Sequence, residues 1–196
     1  MRRRMVLATA LGLAGCGLDT RPYLERREWP LLVRRPQALP ARPGAPVLLV
    51  RGFAAGPGME ARGLQSVQPD GSLHTEFYEQ WSVLPAQAVE EAVRGWLTDA
   101  GLFSAVLAPG SRLNADLVLE GELDALWTVP AEHLARATAG VTLVAQGTAG
   151  TRLLLQQRVV GEAALAGATP PDAAGAMTAA VGVLCERIEA AVRKRG

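Results

Sequence analysis

Apolar residues recur at Ala86, Val89, Val93, Trp96, Leu97 and Ala100, with Gln87, Glu90, Glu91, Arg94 and Asp99 between them. This spacing turns one helix face to a core and the other to water. Pro85 suits the first helical turn, Glu90 sits one turn before Arg94 as a favourable pair, and Gly101 can take the left-handed conformation that ends a helix. The run Leu102–Leu107 is short, apolar and bounded by Pro109-Gly110, so it reads as a strand leaving the helix. Glu76–Val106 is therefore predicted to be a strand, a helix and a strand.

The same patterns extend in both directions. Val47–Phe53 predicts a buried strand, flanked by prolines and by Gly56-Pro57-Gly58. Leu64–Gln68 and Leu73–Tyr78 flank Pro69-Asp70-Gly71-Ser72, whose aspartate and glycine tolerate the angles of a hairpin turn. Leu117, Leu119, Gly121, Leu123, Ala125 and Trp127 alternate with Glu120, Glu122 and Asp124, so one strand face is buried and one is wet. After an interruption at Pro130–Arg136, Val141, Leu143 and Ala145 continue the alternation. Gly147-Thr148-Ala149-Gly150 then turns the chain into Arg152–Glu162, completing a meander of long antiparallel strands. Thr169-Pro170-Pro171-Asp172 resembles a capping box and opens a last helix, whose stripe is Met177, Val181, Leu184, Ile188 and Val192. Its end at Arg193-Lys194-Arg195 suits the helix dipole, and Gly175 and Gly182 weaken it by about 1 kcal/mol each, so packing must hold it. The order predicts an α+β domain over residues 47–196, a mostly antiparallel sheet with two amphipathic helices packed on one face.

The first 15 residues follow different rules. Arg2, Arg3 and Arg4 precede the apolar run Met5–Ala14, which is too short for the roughly 20 residues of a spanning helix and reads as an export signal. It ends in Leu13-Ala14-Gly15-Cys16, where small residues admit a peptidase and the thiol accepts a diacylglyceryl group. Cys16 is thus the expected lipidation site and first mature residue, and two or more acyl chains give stable membrane anchoring. From 16 to 46 the chain carries the acylated cysteine and an arm rich in proline (22, 30, 36, 40, 43, 46) and arginine (21, 26, 27, 34, 35, 42). Such an arm is extended and reaches at most about 100 Å. It reads equally as a basic spacer near anionic lipid, with Tyr23 and Trp29 at the headgroups, or as a solvated linker. Trp29 and Leu31-Leu32-Val33 could also dock on the domain as a strand.

Composition narrows the chemistry. Removing residues 1–15 from the 196 leaves 181, within one domain, and the 49% hydrophobic content is enough for a core. The formal charge of +1 becomes −2 without the three leader arginines, so no basic field suggests nucleic acid. With Cys16 acylated, Cys185 has no disulfide partner and reads as a small buried residue of the last helix. Neither His74 nor His133 has a second ligand at metal spacing, and no zinc site or other cofactor is expected. Ser66, Ser72, Ser82, Ser104 and Ser111 lack a nucleophile elbow. Glu120, Glu122 and Asp124 are better explained as a solvated strand face than as catalytic carboxylates. Trp96 belongs to a helix stripe and reads as core. Trp81 lies at a connection, where core packing competes with a partner or lipid contact shared with Tyr78. No catalytic group emerges, so an enzyme is not expected; a hydrolase is the rival that would require one.

The order Tyr78, Trp81, Pro85, helix, Gly101-Leu102-Phe103 and Ala105-Val106 resembles the ABC-type transport auxiliary lipoproteins, the PqiC-like family. Val47–Val50, Arg62-Gly63-Leu64 and Ala115–Gly121 resemble further segments of that family, so the likeness runs from Val47 to about Arg193. It implies a non-catalytic component of an envelope lipid-transport system, anchored in the outer membrane on its periplasmic face. The implied partners are an MCE-type periplasmic protein and an inner-membrane ABC permease and ATPase, with no ATP site on this chain. A homo-oligomer would suit a conduit at the membrane. Gly17 after the acylated cysteine, in place of aspartate, resembles a signal for release to the outer membrane. A passive envelope-binding or assembly lipoprotein is the alternative that shares the anchor and not the transporter.

Overall fold

A computed structural model describes residues 24–147 and 150–195. Strands β1 (Arg27–Trp29), β2 (Val47–Ala55), β3 (Gly63–Val67), β4 (Leu73–Trp81), β5 (Ala105–Leu107), β6 (Leu117–Val129), β7 (Leu134–Gly147) and β8 (Gly150–Ala164) build one sheet. Helices α1 (Pro85–Asp99) and α2 (Pro170–Arg193) lie against each other and cover one sheet face. The fold is α+β, as expected.

The sheet is mixed rather than mostly antiparallel. Its path runs β1-β4-β3-β6-β2-β5, with β7 on the other edge of β6 and β8 beyond β7. The predicted hairpin and meander are antiparallel, β3 with β4, β6 with β7 and β7 with β8. The ladders β1–β4, β2–β5, β2–β6 and β3–β6 are parallel. Helix α1 carries the chain from β4, near one end of the path, to β5 at the other, and β4 and β5 run in opposite directions because β3, β6, β2 and β5 share one direction that β4 opposes. Strand β5 is shorter than predicted because Leu102 and Phe103 belong to the turn after the helix, where the Phe103 carbonyl accepts the Arg42 N–H at 3.1 Å.

The helix boundaries follow local chemistry. Pro85 occupies the first turn of α1, and Gly101, at φ +63°, lies just past its C-cap. At α2 the Thr169 side chain accepts from the Asp172 N–H while the Asp172 side chain accepts from the Thr169 N–H, so two orphan donors are satisfied. Met177, Val181, Leu184, Ile188 and Val192 are all buried against the sheet and α1.

Alternation along β6 breaks at a bulge between Leu123 and Ala125. Leu117, Leu119 and Leu123 belong to the core under the helices, and past the bulge Leu126 joins them while Ala125 does not. A strict period of two, which predicted Ala125 inward in step with Leu123, therefore fails there, while Trp127 still packs against the core. The connection to β7 is also tighter than the predicted Pro130–Arg136, being a 3₁₀ turn at Pro130–Glu132 and His133 in the left-handed conformation. Strands β7 and β8 meet at the Gly147–Gly150 pair, with Thr148 and Ala149 outside the described residues.

The face away from the helices is shallow and charged. A depression of about 400 Å³ is lined by Glu120, Glu122, Gly140, Thr142, Gln156 and Arg158 among others. Arg51 pairs with Glu120 at 2.6 Å, Arg158 with Asp124 at 3.0 Å and Arg136 with Glu162 at 2.8 Å.

The proline- and arginine-rich arm lies on the domain from Arg27 onward. β1 pairs with the end of β4, Arg27 opposite Glu79 and Trp29 opposite Trp81. Leu31 is buried in the core, and the Leu39 N–H donates to the Asp99 carbonyl at 2.8 Å. Of the docking alternative, Trp29 with Leu31-Leu32-Val33 as a strand, Trp29 lies in the paired strand, which begins two residues earlier at Arg27, and Leu31–Val33 follow it outside the ladder. The free edge of β4 and the apolar side chains of Trp29 and Leu31 hold the arm down, and the extended backbone that proline favours suits a docked strand.

Candidate functional site

The arm, α1 and α2 meet at one carboxylate. Glu189 sits on the buried side of α2 with only 7% of its surface exposed. Its Oε2 accepts from Arg35 Nε at 3.0 Å and from the Trp96 indole N–H at 2.7 Å, and its Oε1 accepts from Arg35 Nη2 at 3.3 Å and from Arg193. Burial pushes the Glu189 carboxyl up, but the hydrogen bonds from Arg35, Arg193 and Trp96 and the Arg35 charge outweigh that and hold it below the ordinary range. A cleft of about 570 Å³ beside it is lined by Arg35, Trp96, Glu189, Arg193 and Lys194 among others. Both oxygens of the carboxylate are taken by donors within the fold. The arrangement is a clasp that fixes the arm, not a free acid or base. The sequence held two signals for it: a buried indole N–H seeks an acceptor, and Glu189 precedes Arg193 by one turn.

A second feature lies where the described chain begins. Between β3 and β4 the pairing jumps from Gly63–Gln80 to Gln65–Thr75, two steps on one strand against five on the other. The surplus three residues bulge from β4. This bulge folds back over Gly63, where a Cβ would collide with the Glu76 carbonyl oxygen. It turns Phe77 and Tyr78 outward, 63% and 41% exposed, with their rings edge to face at 5.0 Å. The Arg26 guanidinium lies 4.9 Å from the Phe77 ring centroid. Glu79, next along, is taken up by Arg27 and by the Trp29 indole N–H at 2.8 Å.

The residues singled out in the sequence divide accordingly. Trp81 is 1% exposed and packs in the core, so the contact reading fails for it: its backbone is clamped by reciprocal bonds with Arg62, and its ring is enclosed. Tyr78 is exposed and is joined by Phe77, a neighbour that a regular strand would place on the opposite face. Trp96 is buried as expected, with the added bond to Glu189. Cys16 lies outside the described residues. His74 lies 3.4 Å from Glu76 on the exposed hairpin, and His133 takes a left-handed φ of 52°. Among the described residues no group of three or more His, Cys, Asp or Glu could hold a metal ion.

Cys185 is buried, and desolvation pushes its thiol up to about 12. A maleimide added to the folded protein at neutral pH is therefore expected to leave Cys185 unmodified, with full labelling only in denaturant. Rapid labelling of the native state would show that the packing of α2 on the sheet is looser than described.

No family model and no curated protein matches the chain. Solved structures are. Protein XCC0632 of Xanthomonas campestris, described with the family model DUF330, superposes with a TM-score of 0.67 at 16% identity, over 86% of this chain and 96% of that one. A structure described only as an uncharacterized protein gives 0.65 at 11% identity, over 87% and 97%. Protein CT253 from Chlamydia trachomatis gives 0.58 at 11% identity, over 78% and 98%. At these identities the likeness is one of fold: this chain shares its architecture with a DUF330 protein and with nearly the whole length of each of the three.

Proposed function

We propose that this chain is a lipid-anchored, non-catalytic auxiliary component of an ABC-type, MCE-linked transport system that moves lipid or another hydrophobic substrate across the envelope. The observation that carries the proposal is the leader ending in Leu13-Ala14-Gly15-Cys16, followed by the arm and an α+β domain. The transport assignment rests on the resemblance from Val47 to about Arg193. Two structural features are compatible with a non-catalytic, partner-binding role. The helix-free sheet face is left open and charged, and Glu189 is fully engaged by donors of the fold. Outer-membrane anchoring and an MCE-type partner belong to the same proposal.

The test is intact mass and membrane fractionation of the expressed protein beside Cys16→Ser, with crosslinked partners identified from the membrane fraction. The expected result is an acylated, outer-membrane protein crosslinked to an MCE-type partner, and a Cys16→Ser variant that is unacylated and lost from membranes. Acylated protein without such a partner would replace the transport role by a passive envelope-binding one. Unacylated, soluble wild type would overturn the anchor.

A further inference from the structure

We propose that the bulge of β4 is a membrane-seating patch: Phe77 and Tyr78, flanked by Leu24 and Arg26, rest in the interfacial layer of the lipid surface that holds Cys16. This rests on the anchor reading above. Leu24 is 59% exposed, and Arg26 precedes the β1 residues that pair with Glu79–Trp81, so the chain joins the domain beside the bulge. Leu24 is only eight residue steps from Cys16, which at full extension span at most about 29 Å. The docked arm has removed the rest of the expected reach of about 100 Å. An acylated Cys16 therefore confines Phe77 and Tyr78 to the neighbourhood of the bilayer.

The chemistry of the patch suits that place. Aromatic rings with an apolar body and a polar tip or a cationic neighbour concentrate at membrane–water interfaces, and an arginine can lay its stem along apolar surface while its head meets phosphate. Two carboxylates near the patch are occupied, Glu79 by Arg27 and Trp29 and Glu28 by Arg62 at 2.7 Å, while Glu76 lies exposed 3.4 Å from His74. Glu25 is exposed and faces water on this view. The three surplus residues of β4 add nothing to the ladder, and Gly63 is left without a side chain to make room for them. Backbone geometry is thus committed to presenting two aromatic rings that the core does not use.

The acylated full chain would be labelled with an environment-sensitive dye at Glu76→Cys or, in a control, at Leu113→Cys. Leu113 is exposed in the loop after β5, at the opposite end of the sheet path from β1 and β4. Acylation blocks Cys16, and burial silences Cys185. In vesicles of phosphatidylethanolamine and phosphatidylglycerol carrying a spin-labelled quencher lipid, quenching at position 76 is expected to exceed that at 113 by about threefold. The double change Phe77→Ser and Tyr78→Ser should abolish the difference while the protein still floats with the vesicles. Equal quenching at both positions in floating protein would overturn the patch and leave the anchor standing. Protein that does not float would overturn the anchor and the patch together. Quenching at 76 that follows protein density rather than quencher lipid would assign the patch to a second copy of the chain and overturn the proposal.

Discussion

Gly161→Ala is expected to destabilise the domain by about 3 kcal/mol, lowering Tm by roughly 10 °C. Gly161 lies in β8 on the face that α2 covers. A Cβ built there would collide with the Ala180 carbonyl oxygen and lie 2.5 Å from the Leu184 nitrogen and 3.0 Å from its Cα. These are backbone atoms of a helix whose stripe is fully buried, so no side chain can swing aside and the helix itself must lift. In the absence of that collision the sign would reverse, because alanine restricts the unfolded chain and gains about 0.5–1 kcal/mol over glycine within a strand. Gly140 supplies that comparison, since a Cβ there meets nothing within 4 Å on the opposite face of the sheet. Urea unfolding of Gly161→Ala beside Gly140→Ala checks both. A neutral or stabilising Gly161→Ala would mean that α2 does not sit on β8 as closely as described.

What could be read from the chain is what is decided within a turn or two of sequence. Helix α1 is written by an apolar stripe between Pro85 and Gly101, and α2 by Thr169, Asp172 and a stripe ending at Val192. The β3–β4 turn is written by Asp70, which accepts the Ser72 N–H at 2.9 Å, and by Gly71 at φ +83°. Which strands pair is a non-local matter. Nothing in Val47–Phe53 announces that it lies between β5 and β6, and the short β5 has too few residues to declare a neighbour. Bulges were equally hidden, because one surplus residue at Asp124 and three in β4 leave composition unchanged while reversing which side chains face the core.

The candidate sites show the same division. Cys16 is legible because acylation is specified by a contiguous pattern read before folding. The Phe77–Tyr78 pair and the Glu189 clasp are products of the fold: the first needs the bulge, the second brings together residues 35, 96, 189 and 193 from three segments. The arm illustrates the competition between levels. Its prolines argue for a free linker, yet two aromatic or aliphatic residues and one arginine with a buried partner are enough to lay it on the domain.

Glu189→Leu is expected to cost about 3 kcal/mol, because removing the acceptor leaves a buried indole N–H and the Arg35 guanidinium without their partner. Glu189→Gln keeps one oxygen for these donors and should lose about half as much. The two variants also separate charge from shape. Wild-type Glu189 is held below its ordinary value near 4.5, so its contribution is fully present above that pH. It is lost as pH falls through the lower value of the folded state. The stability gap between wild type and Glu189→Gln should therefore be widest near neutrality and narrow steadily below about pH 4.5. A local readout accompanies the global one. With the clasp opened, trypsin should cut after Arg34 faster in Glu189→Leu than in wild type, at denaturant levels where the β6–β8 meander is still folded. A gap that stays constant with pH, together with unchanged cleavage at Arg34, would show that the arm is held by Leu31 and β1 alone and that Glu189 is merely a tolerated buried charge.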